Sequence, residues 1–527
     1  MYSEIKMSEI SSDPPQTLLQ DQDQQQQSVS KDIQQLEDEP SKGPLTKLVC
    51  WASAVATLGS SFIFGYSIGA VNAPEKHIKN WITSNHFEIF GTILSDEAKN
   101  YIFGSAVSIF ALGALIGALI SGKLADKFGR KGTLHFNNVF AIIGSFLMDY
   151  AFYRRFYFIF HLGRFIIGLN AGIGSSVVPM FITEISPSNW RGALGTLPQL
   201  VVVSTILFAQ ILGMKQLLGT ATLWPYIFDV TLIPAIFQII ALFFVPESPK
   251  YTLVIKGDEE QALKDLCQYR NSHENNPAIE REMVEIKKEA EAFKNEPKIG
   301  FRDLFRRTLI WPTFLACFLQ ASQQLSGINC AMFFSTRIFT EARLEGDWPI
   351  YATIIMGITN VVQTSISLWL VEHPRFGRRL LLLIGTIGML IGTITLTASI
   401  HLATRDYGED LLKSIGSYSA IGFVMLFVIS FATGPGSIPF FYVNEVFASN
   451  ARATASSLAT GTNWTCNFIV ALAFLPLQQA MGEYVFLIFS GFLAASVVII
   501  ILWLPETKGK TVEEVEDAMN QRKPRCC

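Results

Sequence analysis

Apolar and polar positions separate sharply along this chain. From Leu45 onward it reads as about twelve apolar segments. The uncharged runs Ile102 to Ile120, Val201 to Gly213, Leu380 to Ile400 and Phe486 to Leu504 approach or exceed the roughly 20 residues that cross a bilayer as a helix. The alternation is interrupted once, between Pro246 and Arg307, where Glu and Lys recur at helical spacing and predict short amphipathic helices. The pattern predicts an all-α membrane protein of twelve transmembrane helices in two pseudo-symmetric six-helix bundles. Its expected parts are a disordered cytoplasmic tail over 1–44, a first bundle over 45–245, an intracellular helical linker over 246–307, a second bundle over 308–504 and a cytoplasmic tail over 505–527. The first tail is rich in Gln, Asp, Ser and Pro and has no charged region followed by an apolar core, so no cleavable signal is expected.

Three motifs recur in the same order in both halves. Phe128-Gly129-Arg130-Lys131 answers to Phe376-Gly377-Arg378-Arg379, Glu184 with Arg191 to Glu445 with Arg452, and Pro246-Glu247-Ser248 to Pro505-Glu506-Thr507, at offsets of 248, 261 and 259 residues. Parallel half-repeats of this kind are a transporter architecture, that of the major facilitator class. Lys123, Lys127, Arg130 and Lys131 follow the second span and Arg375, Arg378 and Arg379 the eighth, which puts both loops and both termini on the cytoplasmic side. Arg154 and Arg155 stand on the other side, with Asp149 expected to neutralise part of their charge.

Composition agrees and excludes alternatives. Only 16% of the 527 residues are charged and the net charge is −3, so no basic field argues for nucleic acid. The seven cysteines have no metal-ligand spacing, and no disulfide framework, metal or cofactor is expected. The glycines have no phosphate-binding strand context and no enzyme constellation is present. Asn463-Trp464-Thr465 has the form of a glycosylation sequon but lies inside an apolar span. Cys526 and Cys527 beside Lys523 and Arg525 are either lipidation sites or two exposed thiols.

The chemistry lies in two constellations. At the cytoplasmic span ends, Glu184, Glu247 and Arg191 in the first half and Glu445, Glu506 and Arg452 in the second are expected to clasp neighbouring helices. Several partly buried pairs together would bias one state of a two-state switch. Within the spans, Gln199, Gln320, Gln323, Gln324, Asn329, Asn360 and Asn463 offer donors and acceptors to vicinal hydroxyls without burying charge. Gln324 and Asn329 stand about 140° apart on an ideal helix, so sharing one cavity requires a break, and Ser326-Gly327 supplies it. Gly434-Pro435-Gly436 with Pro439 marks a second break, usable as a hinge. Phe440 just beyond it is placed to stack on a pyranose ring or close the cavity.

With Phe64-Gly65-Tyr66, Gly163-Arg164-Phe165, Arg191-Gly192-Ala193-Leu194-Gly195-Thr196, Gln323-Gln324-Leu325-Ser326-Gly327-Ile328-Asn329 and Pro505-Glu506-Thr507-Lys508-Gly509 added, the chain resembles the facilitative glucose transporters of the sugar-porter family from span one to Lys510. The resemblance implies that Gln199, Gln323, Gln324, Asn329 and Asn360 bind the sugar. It implies that Arg130, Glu184, Arg191, Glu247, Arg378, Arg379, Glu445, Arg452 and Glu506 form an inner clasp, and that Phe333 and Phe334 stand where family tyrosines close the outer gate. Ala432 stands in place of a sugar-contacting Glu, Phe440 in place of a Trp and Ala321 in the middle of a Gln-Leu-Ser motif. The expected activity is uniport of glucose, with galactose as a further hexose, across the plasma membrane. Proton-coupled relatives carry an Asp where this chain has Ser67, which cannot carry a proton near neutral pH. The alternatives are coupling through Asp229, about 9 Å inside span six from its outer end, and a non-transporting sugar receptor, for which the segment after Lys510 is short.

Overall fold

A computed structural model describes residues 43–522 apart from 188, 296–298, 307, 406–409, 448 and 511, and apart from the side chains of 289, 292–295, 441, 444, 449, 450, 453 and 512. Most of the expected 1–44 tail, and Cys526 and Cys527, lie outside the described residues. In chain order the helices are α1 (Lys47–Gly69), α2 (Glu75–Phe90), α3 (Asp96–Arg154), α4 (Tyr157–Ile185), α5 (Arg191–Leu212), α6 (Tyr226–Leu242), α7 (Glu259–Arg270) and α8 (Pro277–Asn295). They continue as α9 (Ile310–Leu325), α10 (Ile328–Glu341), α11 (Trp348–Glu372), α12 (Arg378–Thr404), α13 (Asp410–Thr433), α14 (Ile438–Val446), α15 (Ser449–Met481), α16 (Val485–Trp503) and α17 (Val512–Arg522).

Among the described residues eight helical stretches are long and apolar enough to span a bilayer, and two of them are double. The 59-residue α3 holds spans two and three, which meet at Gly129 with φ 81° and ψ 172°, a conformation that only glycine adopts readily. The stretch Thr454–Trp503 holds α15 and α16 with the turn Gly482–Tyr484 between them. With α6 and the α9–α10 pair the count reaches the twelve spans expected. The Ser95 side chain caps the start of α3 and that of Thr46 the start of α1, each accepting an N–H that the first turn leaves unpaired.

The two interrupted spans break where proline and glycine demand it. Span seven stops at Leu325 and resumes at Ile328, with Gly327 at φ 87° between them. A Cβ at Gly327 would also stand 2.7 Å from the Phe489 ring. Span ten stops at Thr433 and resumes at Ile438, since Pro435 has no N–H to continue the ladder. The linker forms α7 and α8, as its charge spacing predicts. It is fastened to the first half by Thr46 Oγ1 donating to Tyr269 O at 2.6 Å and Arg270 Nη1 donating to Ile185 O at 2.9 Å. Two helices are additions to the expectation: α2 on the outer side, and α17 after the last span, where Arg522 donates to Leu504 O at 3.0 Å.

The outer-side arginines pair differently from expectation. Arg155 bonds Glu88 of α2 at 2.5 Å, because α2 lies over the loop between spans three and four. No ion pair joins Asp149 to Arg154 or Arg155 among the described residues, and its Oδ1 is buried without a hydrogen-bond partner.

Candidate functional site

Span seven positions the polar centre. Because Gly327 turns the chain, Asn329 Nδ2 reaches Gln324 Oε1 at 2.5 Å, although the two residues diverge on a regular helix. Gln324 Nε2 donates to Asn463 Oδ1 at 2.9 Å, and Asn463 Nδ2 donates to Gln320 Oε1 and Gln323 Oε1, both at 2.7 Å. Gln323 Nε2 donates to Pro435 O at 2.8 Å and Gly436 O at 2.9 Å. Five amides thus form one chain from α10 through α9 to α15 and the break in span ten. All but Asn329 are buried, and no formal charge enters the chain. It can exchange its internal hydrogen bonds for those of hydroxyls at little net cost, since each is worth only about 1 kcal/mol. Gln323 thereby donates to the Pro435 carbonyl, which Pro439 has no N–H to serve, and to that of Gly436, so it is bound to the hinge as well as to the amides.

Other proposed contacts stand apart from this chain. Asn360 is buried on α11 and only accepts from Thr364 Oγ1 at 3.5 Å. Gln199 on α5 is half-buried with no hydrogen-bond partner among the described residues. Phe440 is 42% exposed and no aromatic ring packs on it among the described residues, so neither a stacking partner nor a closed lid forms around it in this conformation. Gln320 takes the place in the network that its position four residues from Gln324 allows.

The repeated motifs build the same device twice. In the first half Arg130 Nε and Nη2 hold Glu184 at 2.9 and 2.8 Å, and Ser248 Oγ donates to the same carboxylate at 2.5 Å. Glu247 accepts the N–H groups of Arg130, Lys131 and Ser248 at 3.1, 3.1 and 2.9 Å, which caps the start of span three. Burial pushes the Glu247 carboxyl above its ordinary range, and those N–H groups and the Arg130 charge oppose the push. In the second half Arg378 Nε holds Glu445 at 3.2 Å, Thr507 Oγ1 donates to Glu445 at 2.5 Å, and Glu506 accepts the N–H groups of Arg378 and Arg379 at 2.7 and 3.1 Å.

The two arginine–carboxylate pairs join neighbouring helices within one half, Arg130 of α3 to Glu184 of α4 and Arg378 of α12 to Glu445 of α14, while other residues expected in the clasp are placed differently. The Arg191 side chain is exposed and makes no hydrogen bond or ion pair among the described residues, although the Glu372 carboxylate of the second half lies beside the neighbouring Gly192. Arg379 contributes its backbone N–H, while its side chain caps α16 at Ile500 O (3.3 Å) and Ile501 O (2.5 Å). Arg452 Nε turns back to Phe447 O at 3.3 Å. Lys508, read only as part of a motif, donates to three carbonyls at the end of α11 and beyond, Val371, His373 and Phe376.

What joins the halves lies at the outer end, and sequence reasoning missed it. Between described residues, every hydrogen bond or ion pair from one half to the other is there. Asn72 donates to Met332 O at 3.0 Å and Ser335 Oγ at 2.5 Å and accepts from Thr336 N at 3.2 Å. Arg337 reaches Glu75 at 3.3 Å and Asn100 at 3.2 Å, and Lys215 pairs with Asp347. Lys79 of α2 also donates to Glu75 and Asn100, two of the acceptors of Arg337, and burial pushes its ammonium down while Glu75 opposes the shift. Phe333 and Phe334 are fully buried in the same region, with Phe334 stacked on Phe474 at 5.3 Å and edge-on to Phe103 of the other half at 6.3 Å. The available signal was Arg337, a charge in the outer part of an apolar span. Asp229 ends the opening turn of α6, Tyr226–Asp229, about 4.5 Å from the helix start rather than the 9 Å expected, since α6 begins later than its apolar run. No hydrogen bond joins it to the amides among the described residues.

The chain as a whole has known counterparts. The model of the family "Sugar (and other) transporter" matches residues 52–519. Facilitated glucose transporter protein 1 of Caenorhabditis elegans is 48% identical over 481 residues, covering 91% of this chain and 92% of that one. Solute carrier family 2, facilitated glucose transporter member 3 of Canis lupus familiaris is 39% identical over 475 residues, with 90% and 93% covered. The inward-open structure of the xylose transporter XylE from E. coli superposes with a TM-score of 0.72 at 23% identity, over 89% of this chain and 99% of that one. The last match shows the fold, that of the major facilitator superfamily.

Proposed function

Because this chain belongs to the sugar transporter family, matched over residues 52–519, we propose that it is a uniporter carrying D-glucose down its gradient, with galactose as a second substrate. The observation that carries the reading is the uncharged amide chain Gln320, Asn463, Gln323, Gln324 and Asn329 at the broken middle of span seven. Hydroxyl exchange at about 1 kcal/mol per bond sums to a few kcal/mol, in line with millimolar affinity near −4 kcal/mol, and a carrier must release what it binds. The names of the relatives support glucose over other solutes.

The proposed site comprises those amides with Gln199, Asn360 and Phe440, and the breaks at Gly327 and Gly434-Pro435-Gly436 let α10 and α14 move against α9 and α13. The proposed cycle alternates between the outer closure described above and an inner one made by Arg191, Arg452 and the two mirrored carboxylate networks. The two bundles, 45–245 and 308–504, move as bodies joined by the linker 246–307, in the plasma membrane with both termini cytoplasmic. Ser67 supports uniport, as does the lack of any hydrogen bond between Asp229 and the amide chain among the described residues.

The test is initial-rate uptake of labelled glucose, galactose and fructose into proteoliposomes holding the purified full chain. Saturable, protonophore-insensitive glucose uptake that never exceeds equilibrium is the expected result. Uphill uptake that collapses with the protonophore would replace uniport with proton coupling. Absent sugar counterflow would favour a receptor.

A further inference from the structure

The outer helix α2 carries a second cavity, remote in the fold from the amide chain. It has a volume of ≈ 510 Å³ and is lined by Trp81, Ser84, Asn85 and Glu88 of α2 with Phe152 and Arg155 from the end of span three. That volume lies within the range of about 300–1,000 Å³ for small-molecule sites. The α2 residues stand three, four and seven positions on from Trp81 and so share a helix face.

Two features make this a built site. Its floor holds polar groups with nothing to bond: Asn85 is 1% exposed, yet its Nδ2 and the Trp81 Nε1 have no hydrogen-bond partner. The Asn85 carboxamide oxygen accepts nothing either among the described residues. Buried polar groups are normally satisfied, and an unpaired pair facing one cavity calls for a ligand or water there. The same floor is aromatic and rigid, with Trp81 against Phe152 at 6.3 Å and against Trp224 at 5.5 Å. At the mouth, Ser84 is exposed and the Glu88–Arg155 pair is formed in the open, with 44% and 67% of the two side chains exposed.

We propose that this cavity is an exofacial binding site for a pyranose sugar, distinct from the transport path. A carboxamide with both donor and acceptor free matches a hydroxyl, which offers both. The Trp81 and Phe152 rings offer an apolar face to the C–H side of a sugar ring, and the charges at the mouth are already paired with each other. A charged headgroup would have to break that pair. The proposal rests on the sugar reading above only for its choice of probe.

The test uses the full chain in detergent, labelled with 5-fluorotryptophan. The chain has nine tryptophans, and the Trp81 fluorine signal is assigned by Trp81→Phe. Titrated D-glucose should shift that signal saturably in the millimolar range. Asn85→Leu should weaken the response by roughly tenfold, Ser84→Trp, which plugs the mouth without burying anything, should abolish it, and both should keep tracer glucose uptake. Gln324→Leu should lose uptake and keep the Trp81 response. A Trp81 signal that stays still in the parent, that responds equally in Ser84→Trp, or that goes silent in Gln324→Leu would overturn the proposal, as would an equal response to glycerol. Failure of the transport reading appears separately, as absent uptake in the parent with or without a Trp81 response.

Discussion

The mirrored carboxylate networks allow a backbone cost to be separated from a steric one by a pair of single-methyl substitutions. At Gly129 an added Cβ would stand 2.2 Å from Glu247 Oε2, and at Gly377 one would stand 2.0 Å from Glu506 Oε2. Either methyl must therefore drive out the carboxylate that caps the following span. The displaced carboxylate loses hydrogen bonds to three backbone N–H groups at Glu247 and to four at Glu506. At about 1.5–3 kcal/mol for each bond to a charged group, partly recovered by water, we expect a loss of about 3 kcal/mol in both cases. The backbone differs, however. Gly377 has φ −83°, which alanine accepts, whereas Gly129 has φ 81° and ψ 172°, a region that costs a non-glycine residue about 1–3 kcal/mol more.

Gly129→Ala should therefore be the worse of the two by about 2 kcal/mol. For a bundle of about 200 residues this corresponds to an apparent melting temperature about 4–8 °C lower. Thermal aggregation of the purified protein followed by size-exclusion chromatography reads the difference directly. Adding Glu247→Ala to Gly129→Ala should remove the clash and leave the backbone cost. Equal melting of the two alanine variants would refute the reasoning, as would a Gly377→Ala protein as stable as the parent.

Further outcomes follow from the other contacts. Asn463→Leu strands the amides of Gln320, Gln323 and Gln324 at once, so kcat/KM for glucose uptake should fall at least about 100-fold, the kinetic equivalent of about 3 kcal/mol. Arg337→Leu removes the bonds to Glu75, Asn100 and Gln478 (2.9 Å for the last). A Phe334→Cys reporter should then react several-fold faster with an impermeant thiol reagent added outside, and an unchanged rate would show that the remaining contacts close this side without Arg337. Arg130→Ala leaves the half-buried Glu184 carboxylate with the Ser248 hydroxyl but no charge partner and should cost about 3 kcal/mol in melting measurements. Arg191→Ala should change the melting of this conformation by no more than about 0.5 kcal/mol while still altering the uptake rate.

The sequence made local structure legible and left much of the long-range pairing hidden. Apolar runs and the half-repeat located twelve spans, and the angular mismatch between Gln324 and Asn329 pointed to the break at Gly327, because periodicity and chain stiffness are properties of neighbouring residues. The mirrored networks were foreshadowed by the repeat, yet which arginine meets which carboxylate depends on how the helices pack. Arg191 was expected to pair because the sequence does not say which way the two halves face, and this conformation leaves it alone. The outer contacts were illegible for a related reason: Asn72 and Ser335 are 263 positions apart, and neither carries a spacing signal that names the other. Asn85 and Trp81 gave no signal at all, since an unpaired donor is visible only once its surroundings are.

The confinement of each carboxylate network to its own half bears on how the protein can be assembled. The linker helices are pinned to the first half by Tyr269 and Arg270, and the far end of the linker is tied to the second by Thr454 Oγ1 donating to Ile299 O at 2.7 Å and Thr313 Oγ1 donating to Leu304 O at 3.3 Å. The chain therefore resembles two polypeptides written in tandem. Severed near residue 298 and expressed as two pieces, each half would keep every contact of its own carboxylate network, and the pieces would recognise each other through Asn72, Arg337 and Lys215. Damage to one half's network should accordingly behave as a recessive lesion, repairable by supplying that half alone.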